Sequence, residues 1–431
     1  MILQVLKQTI AQMQSTKLSG QPIICQLLSF LPKELVTESV AKFDSDKYYK
    51  TMSTYKQFVF MLYGIVSKSG SLTSLCKCLL FLEGKLGYVG IDKLPPSSTL
   101  SDANCKRNSD VFQDLYYRLF NHYKSELLGG FSCLPINGEV SASKIKRFDS
   151  TTFTLFVDVF KGAGRKPEQG TKKGGVKAQT VLGLDSLVPE FIELGPAAKN
   201  DKDFLGQLVV KTGYLYVFDK GYVNYTVYRD WTKQQVSFVT RLNDNASYLV
   251  LEDKIVDHFD LITGQGVIAD QVIQVKVKGD KQGLKLRLIT YKDPETGKVL
   301  KFLTNHFTYQ ANTITLIYKN RCAIEPFFKQ LKQNYQLGYF FSDSEQGIKS
   351  QIWIALIANL IFTLIYQRNK QAEAFVTIVS MARAGLNTYV CFLSIIKHEK
   401  LSIEDRDNGI VQLKIFENRQ GGVFETINKS P

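Results

Sequence analysis

The stretch "YLYVFDKGYVNYTVYRDWTKQQVSFVTRL", residues 214–242, predicts a strand, a helix and a second strand in direct succession. Its opening, "YLYVFDKGY", is an almost continuous apolar run, which is typical of a central strand buried on both faces of a sheet. In "NYTVYRDWTKQQ" the apolar residues recur at helical spacing, and "VSFVTRL" again has the composition of a strand. This order of elements indicates an α/β sheet.

Three more strand candidates and a short helix precede this stretch. The strands are "IKRFDSTTFTLF" (residues 145–156), "GGVKAQTVLGL" (174–184) and "VPEFIELG" (188–195), which are separated by glycine, proline or charged turns. The segment "KDFLGQLVVKTG" (202–213) predicts a helix that ends at Gly213. Three antiparallel strands, a helix, a buried strand, a helix and a strand are compatible with a ribonuclease-H-like order.

The remaining segments predict further domains around this α/β sheet. Residues 243–305 contain only strand and turn signals, which predicts an all-β insertion, and "DPETGK" (293–298) within it is a strong hairpin signal. Residues 1–128 predict a helical N-terminal domain, and residues 129–144 have the composition of a linker. Residues 371–431 predict a helical C-terminal region with a polar tail. The central domain would then cover residues 145–370.

Two helical segments outside the sheet need separate interpretation. In "LPPSSTLSDANCKRN" (residues 94–108), a short polar helix ends at Lys106 and Arg107. It could enter a DNA groove or serve as a solvated connector, and the residue types favour the connector. The segment "IWIALIANLIFTLIY" (352–366) is short for a bilayer span and contains Asn359, so it predicts a buried core helix.

The composition favours an anionic partner and a reducing compartment. Lysine and arginine number 54 against 40 aspartates and glutamates, which gives a formal net charge of +14. Such a balance favours nucleic acid before a membrane surface. The seven cysteines are scattered and odd in number, which is typical of a reduced chain. The N-terminal segment has no long apolar run, so a cytoplasmic location is expected.

The segment "IYKNRCAIEPFFKQLKQ", residues 317–333, predicts a helix that carries two adjacent stripes. At about 100° per residue, one stripe is apolar and faces a core; it consists of Ile317, Ile324, Phe328, Leu331 and Tyr335. The second stripe is polar and consists of Tyr318, Arg321, Glu325 and Lys332. Pro326 lacks an N–H group and is expected to kink the helix.

Glu325 forms a candidate metal site with two aspartates on the predicted sheet. Asp149 interrupts the first strand, and Asp219 ends the buried one, where sites form in α/β sheets. The three side chains offer only oxygen ligands, which suit Mg²⁺ or Mn²⁺ rather than zinc. Two such ions about 4 Å apart can activate one oxygen and stabilise the leaving oxygen of a phosphodiester.

Structural roles remain open for each of these carboxylates. Asp149 could bond the hydroxyl group of Ser150 or of a following threonine, and Asp219 could cap the next turn. Glu325 could form a helical ion pair with Arg321, four residues away, which stabilises a helix only slightly. From the residues alone, a shared metal site and three separate structural roles both remain possible.

The spacing Tyr318-x2-Arg321-x3-Glu325-x6-Lys332 resembles the tyrosine–arginine–glutamate–lysine signature of bacterial DDE transposases of the insertion-sequence-four family. The segments "FDSTTF" around Asp149 and "VFDKGYVNY" around Asp219 resemble the two aspartate blocks of that family. The N-terminal region is similar to the DNA-binding domain of many such enzymes. Cys322 departs from the family, which usually has tryptophan there.

This resemblance implies a ribonuclease-H-like catalytic domain in which Asp149, Asp219 and Glu325 hold two Mg²⁺ ions, with Mn²⁺ able to substitute. The enzyme would bind the inverted-repeat ends of an insertion sequence, cleave them and join the freed 3′-hydroxyl groups to target DNA. Its partners would be double-stranded DNA and a second copy of the chain in a synaptic homodimer. The implied phosphate-binding residues are Tyr318, Arg321 and Lys332, with Lys220 and Arg241 as further candidates.

Two other functions agree less well with these sequence features. A transposase-derived, non-catalytic DNA-binding protein would not need the three carboxylates and the signature, all of which are present. A glycosidase could use a carboxylate pair, but it has no need of a +14 charge or of basic residues beside Glu325. Both alternatives are therefore less favoured than the transposase.

Overall fold

The computed structural model describes residues 20–128, 141–155, 174–256, 266–369 and 373–397. The chain divides into two compact units. The first unit combines residues 1–123 with residues 331–431, and the second unit comprises residues 124–330. The predicted domain boundaries differ from this division and remain predictions. Most of the predicted linker and the polar tail lie outside the described residues.

One mixed sheet organises the described part of the second unit. Its nine strands lie in the order β3-β2-β1-β4-β5-β9-β8-β7-β6. In chain order, the strands are β1 Ile145–Thr154, β2 Gly175–Gly183, β3 Phe191–Pro196, β4 Leu215–Val217, β5 Ser237–Arg241, β6 Tyr248–Lys254, β7 Gly266–Val277, β8 Asp280–Lys292 and β9 Val299–Thr304.

The pairing pattern of β1 to β5 fits a ribonuclease-H-like arrangement. β1 pairs antiparallel with β2, and β2 pairs antiparallel with β3. β1, β4 and β5 are parallel neighbours. β5 also pairs antiparallel with β9, so the predicted all-β insertion continues the same sheet. The central strand β4 has only three residues, all of them buried.

Helices make up the rest of the described structure. In chain order, the α-helices are α1 Ile23–Leu28, α2 Lys33–Phe43, α3 Thr54–Ser67, α4 Leu72–Leu79, α5 Ser97–Lys106, α6 Asp110–His122, α7 Lys124–Leu127, α8 Asp201–Gln207, α9 Tyr225–Lys233, α10 Ala311–Lys319, α11 Ile324–Asn334, α12 Glu345–Arg368, α13 Phe375–Gly385 and α14 Phe392–Ile396. Short 3-10 helices are Leu80–Leu82, Leu86–Val89, Ala142–Lys144, Lys220–Tyr222 and Asn320–Ala323.

The helix predicted to end at Gly213 ends earlier. α8 stops at Gln207, and the following residues are irregular up to Gly213, which has a φ of +76°. Val209, which follows the end of α8, is 87% exposed. Its β-branched side chain also weakens helical preference, and the prediction of the helix end was therefore wrong.

The signature segment is not one continuous helix. α10 ends at Lys319, a 3-10 helix follows, and α11 begins at Ile324. This break places Pro326 in the first turn of α11, where its missing N–H group leaves no hydrogen bond unmade. The apolar stripe predicted for the segment is nevertheless buried throughout, comprising Ile317, Ile324, Phe328, Leu331 and Tyr335.

The two faces of the sheet are covered by different apolar clusters. One cluster contains Phe148, Phe218 and Phe238 together with side chains from α8 and α9. The other contains Val217 and Val239 together with side chains from α10. Because successive residues of a strand point to opposite faces, β1, β4 and β5 each contribute to both clusters, and these strands lie between the two apolar layers.

In the first unit, α12 is the central helix. Its 24 residues are long and apolar enough to cross a membrane by length and composition, but 94% of its apolar window is buried inside the protein. Trp353 on α12 packs against Tyr116 and Tyr117 of α6, with ring centroids 5.7 and 5.8 Å apart. This burial agrees with the predicted core helix.

The short polar helix α5 ends in a buried arginine. The Arg107 side chain donates to the Ser45 carbonyl oxygen at 3.1 Å and to Gln57 Oε1, and Arg107 is 2% exposed. Lys106 pairs with Asp102 at 2.5 Å on the surface of the same helix. Arg107 therefore stabilises the fold of this unit, and the connector interpretation of α5 is favoured over insertion into a DNA groove.

Candidate active site

Asp149 lies in the middle of β1, opposite Thr180 of β2. Its Oδ2 atom accepts a hydrogen bond from Arg321 Nη1 at 2.7 Å, and its Oδ1 atom accepts one from the Ser150 backbone N–H at 2.8 Å. Burial raises the pKa of Asp149 above its ordinary value, although the Arg321 guanidinium and the Ser150 N–H group oppose the shift. The nearby Asp219 charge raises this pKa further, so the two aspartates interact electrostatically.

Asp219 follows β4 and lies beside the end of β5. Val217 of β4 pairs with Val239 of β5, so Asp219 and Arg241 occupy equivalent positions two residues further along. The Arg241 Nε atom is 3.8 Å from Asp219 Oδ1. The parallel strands thus bring together an aspartate and an arginine that are well separated in the sequence.

Arg321 connects the first and third candidate carboxylates. Its Nη2 atom lies 3.3 Å from Glu325 Oε1, while Nη1 binds Asp149. The Glu325 side chain is 60% exposed, whereas that of Arg321 is 10% exposed. Burial opposes the guanidinium charge, but Asp149, Tyr318 and Asp219 outweigh it and raise the pKa of Arg321. Arg321 Nε is buried without a hydrogen-bond partner among the described residues.

Tyr318 connects α10 to the second aspartate. Its hydroxyl group donates to Asp219 Oδ1 at 3.1 Å, and its ring lies 4.7 Å from the ring of Phe302 on β9. Burial and then the Asp219 charge raise the pKa of Tyr318, so the phenol remains a neutral donor. Tyr318 and Arg321 thus each contact one of the two aspartates, and Arg321 also contacts Glu325, although the predicted helix is broken.

The two predicted lysines have different surroundings. Lys220 directly follows Asp219, and its Nζ atom pairs with Asp244 at 2.9 Å. Lys332 is exposed on α11, seven residues after Glu325, and belongs to the first unit. Lys220 therefore lies beside the carboxylates, whereas a shared site that includes Lys332 remains a prediction.

The three carboxylates have the chemistry of a divalent metal site but not its spacing. All offer oxygen ligands, which suit Mg²⁺ or Mn²⁺. Among the described residues, however, no group of three or more His, Cys, Asp or Glu side chains could hold a metal ion as they stand. The Arg321 guanidinium lies between Asp149 and Glu325. An ion held by both carboxylates would have to replace it.

The sequence did not identify a polar cluster on the other side of β1. Asp201, at the start of α8, accepts hydrogen bonds from Gln179 and Lys177 of β2 at 2.7 and 3.0 Å. Gln179 in turn accepts one from Tyr222. The alternation of β2 places Lys177 and Gln179 on one face of the sheet. This shared face was the sequence signal for a polar cluster. The sequence did not indicate Asp201 as the partner of these two residues.

A second overlooked residue, Arg147, fixes the segment that carries the signature. Its Nη1 atom donates to the Asn320 carbonyl oxygen at 3.2 Å and to Asn320 Oδ1 at 2.9 Å. Its Nη2 atom donates to the Gly183 carbonyl oxygen at 2.8 Å. Arg147 therefore joins β1 and β2 to Asn320, the residue immediately before Arg321.

Sequence comparisons relate this chain to transposases. A putative transposase, y4zB, of Sinorhizobium fredii (strain NBRC 101917 / NGR234) is 27% identical over 279 residues, which cover 64% of this chain and 73% of that protein. A probable transposase for insertion sequence element IS5377 of Geobacillus stearothermophilus is 25% identical over 238 residues, which cover 54% of this chain and 60% of the relative.

The cryo-EM structure of a piggyBac transposase synaptic complex with hairpin DNA aligns with 90% of this chain and 84% of its own. The sequence identity is 12% and the TM-score is 0.41, which is too low to establish a shared fold.

Two family models match this chain. Residues 19–92 match a domain of unknown function, DUF4372, and residues 143–361 match the transposase DDE domain. The second match contains the candidate carboxylates and covers slightly more than half of the 431 residues. The chain therefore belongs to the DDE transposases, enzymes that cleave and transfer DNA.

Proposed function

We propose that Asp149, Asp219 and Glu325 are the catalytic carboxylates of this DNA transposase. The observation that carries the proposal is the convergence of three distant sequence blocks: Arg321 contacts both Asp149 and Glu325, and Tyr318 contacts Asp219. A structural role for each carboxylate alone would not require Tyr318 and Arg321 to contact all three. We also assign the chain to the insertion-sequence-four family, on the signature that ends at Lys332.

DDE transposases generally use divalent metal ions, and here Asp149, Asp219 and Glu325 would hold two Mg²⁺ ions, with Mn²⁺ able to substitute. Such ions, when bound, activate the attacking oxygen and stabilise the leaving oxygen of a phosphodiester. The Arg321 guanidinium must leave Asp149 and Glu325 for this to occur. In the absence of metal ions, the Arg321 guanidinium compensates the carboxylate charges, which would otherwise repel each other in a partly buried site.

The basic residues around the carboxylates would hold DNA. Arg321, once released from the carboxylates, can form charge-assisted hydrogen bonds to phosphate oxygens. Arg241 and Lys220 lie beside Asp219 and would contact neighbouring phosphates. Tyr318 can donate a hydrogen bond there, and Lys332 would extend the contact along the strand. These contacts position the DNA backbone and carry no base specificity.

The reaction consists of two phosphoryl transfers at one site. In the first, a water oxygen bonds to phosphorus at the end of the element, the bond to the 3′-oxygen breaks, and that oxygen receives a proton. In the second, the freed 3′-hydroxyl group loses its proton, bonds to a phosphorus atom of target DNA and displaces another 3′-oxygen. The positioning residues hold the phosphate in line with the attacking oxygen.

Several features of the larger assembly belong to this proposal. Residues 1–128 would bind the inverted-repeat ends, and the ribonuclease-H-like sheet would carry out both chemical steps. A homodimer would hold the two ends together in a cytoplasmic, nucleoid-associated complex. A non-catalytic DNA-binding role has no observation in its favour, since Asp149 and Asp219 contact the signature residues Arg321 and Tyr318, and Arg321 also contacts Glu325.

An end-cleavage assay tests the catalytic assignment. The full chain is incubated with Mg²⁺ and DNA that carries the flanks of its coding region, and Glu325→Gln is compared with the exposed-turn control Glu295→Gln. Loss of a metal-binding carboxylate removes several kcal/mol of transition-state stabilisation, so cleavage should fall by about a thousandfold or more. Equal cleavage by Glu325→Gln and the unchanged protein would refute the assignment.

A further inference from the structure

A polar cluster lies on the face of the sheet opposite the candidate carboxylates. Asp201 Oδ1 accepts hydrogen bonds from Gln179 Nε2 at 2.7 Å, from Lys177 Nζ at 3.0 Å and from Ser150 Oγ at 3.4 Å. Ser150 directly follows Asp149 and pairs with Gln179 across β1 and β2. One carboxylate oxygen therefore joins α8 to the two strands on which Asp149 depends.

The same cluster extends to the second aspartate through Tyr222. The Tyr222 hydroxyl group donates to Gln179 Oε1 at 2.8 Å. Its ring packs edge-on against Phe148 at 4.9 Å and against Phe218 at 6.3 Å, and those two rings stack on each other at 4.6 Å. Phe148 and Phe218 directly precede Asp149 and Asp219, so one set of contacts reaches both catalytic positions.

The alternation of β1 separates this cluster from the chemistry. Phe148 and Ser150 point to the face that contacts Tyr222 and Asp201, whereas Asp149 points to the face that contacts Arg321. Asp201 therefore acts on Asp149 through the backbone of β1 and not as a partner in the carboxylate cluster.

The buried amide makes this arrangement specific. Gln179 is 2% exposed, and both ends of its amide group are used, one by Asp201 and one by Tyr222. A buried amide that loses one partner pays the full desolvation cost of the unpaired atom. Removal of either Asp201 or the Tyr222 hydroxyl group should therefore disturb the whole cluster and not one contact.

We propose that Asp201 is a positioning residue of this transposase, which fixes β1 at Asp149 and the segment that bears Asp219 after β4, through Gln179, Ser150 and Tyr222. This inference rests on the proposed function, because it assumes that those two aspartates are catalytic. It adds a fourth carboxylate to the reaction, on the opposite side of the sheet and outside the signature.

The test compares Asp201→Asn with Asp203→Asn, which removes an exposed carboxylate from the same helix. The Asn side chain keeps the size of Asp201 but weakens its acceptance from Lys177 and Gln179. Single-turnover end cleavage should slow about tenfold in Asp201→Asn, in the range seen when an outer partner of a metal ligand is removed. The Mn²⁺ concentration for half-maximal binding, measured by electron paramagnetic resonance without DNA, should rise several-fold. Asp203→Asn should change neither quantity by more than about twofold.

Tyr222→Phe provides an independent test, since it keeps the ring packing and removes only the hydroxyl group. Because Asp201 and Tyr222 act through the same amide, the double variant should be no slower than the slower single variant. Unchanged cleavage and Mn²⁺ binding in Asp201→Asn, or fully additive effects in the double variant, would overturn the proposal. So would a lower melting temperature with both functional readouts intact, because that result would indicate a purely structural role.

A parallel assay of Glu325→Gln separates the two levels of inference. If Glu325→Gln is inactive and Asp201→Asn cleaves normally, only the positioning role is wrong. If Glu325→Gln cleaves normally, the catalytic assignment itself is wrong, whatever the behaviour of Asp201→Asn.

Discussion

Two buried arginines of the second unit, Arg287 and Arg321, pair with aspartates in different ways. Arg287 on β8 donates to both oxygens of Asp270, through Nε at 2.9 Å and Nη2 at 2.7 Å, and its Nη1 atom donates to the Tyr309 carbonyl oxygen at 2.5 Å. Arg321 divides its donors between Asp149 and Glu325, and its Nε atom has no hydrogen-bond partner among the described residues.

The two arginines differ in how completely the fold satisfies their hydrogen-bond donors. All three nitrogens of Arg287 donate hydrogen bonds within the fold. Arg321 faces two carboxylates, one of them largely exposed, and a third interacts with Asp149. The three carboxylates outnumber the two arginines beside them, Arg321 and Arg241, and this excess of negative charge favours a further cation from outside. A buried arginine is therefore informative about function only when its partners are counted.

The largest expected effect is on stability and concerns Arg287. Arg287→Met leaves the Asp270 carboxylate buried and unpaired, which should cost about 3–5 kcal/mol of unfolding free energy. Arg321→Met is the matched variant; because Asp149 and Glu325 keep some solvent contact, it should cost only about 1–2 kcal/mol. Urea unfolding of the metal-free protein measures both. Equal losses would mean that the two ion pairs are equivalent.

The next effect is on metal affinity. Arg321→Gln removes the cation that lies between Asp149 and Glu325, so Mn²⁺ should bind about tenfold more tightly, a gain equivalent to one charged hydrogen bond. Arg241→Gln removes the same charge at 3.8 Å from Asp219 without opening that position, and we expect a change of less than about threefold. Calorimetric titration without DNA measures both affinities. The same gain in the two variants would show that charge alone, and not displacement, is responsible.

The third effect is a pH dependence beside Arg287. Burial, and then the Arg287 charge, lower the pKa of His306 from 6.5 to about 4. The unfolded chain therefore binds a proton before the folded chain does, so stability present above pH 6.5 is lost as the pH falls towards 4. His306→Gln should reduce the change in unfolding free energy between these pH values. His122→Gln, at an exposed histidine, should leave that change unaltered. Unfolding free energies measured from pH 4 to 7 would contradict this if both variants kept the original slope.

The sequence predicted those parts of the fold that depend on local patterns. β1 to β3, α9 and the strands of the insertion follow from apolar alternation, helical spacing and turn residues. The buried stripe of the signature segment also follows from spacing, although the break at 320–323 does not. That break is set by Pro326 together with the contact between Arg147 and Asn320, which requires knowledge of the tertiary structure.

The residues of the candidate site were also predictable from local sequence patterns, but their contacts were not. Family resemblance indicated Asp149, Asp219 and Glu325, and the signature indicated Tyr318 and Arg321. The position of the Arg321 guanidinium between two carboxylates was not predictable, because it depends on how α10 and the 3-10 helix lie against the sheet. The contacts of Asp201 were equally hidden, since they join a helix start to a strand more than twenty residues earlier in the chain.

The placement of β5 has a mechanical consequence. β5 is hydrogen-bonded to β4 on one side and to β9 on the other. The strand preceding Asp219 and the strands of the insertion therefore belong to one continuous sheet. A force on the outer strands β6 to β8 would be transmitted through the inter-strand hydrogen bonds towards Arg241 and would not be absorbed by a hinge. We therefore expect conformational changes during turnover in the turns and helices that flank this sheet, and not between its strands.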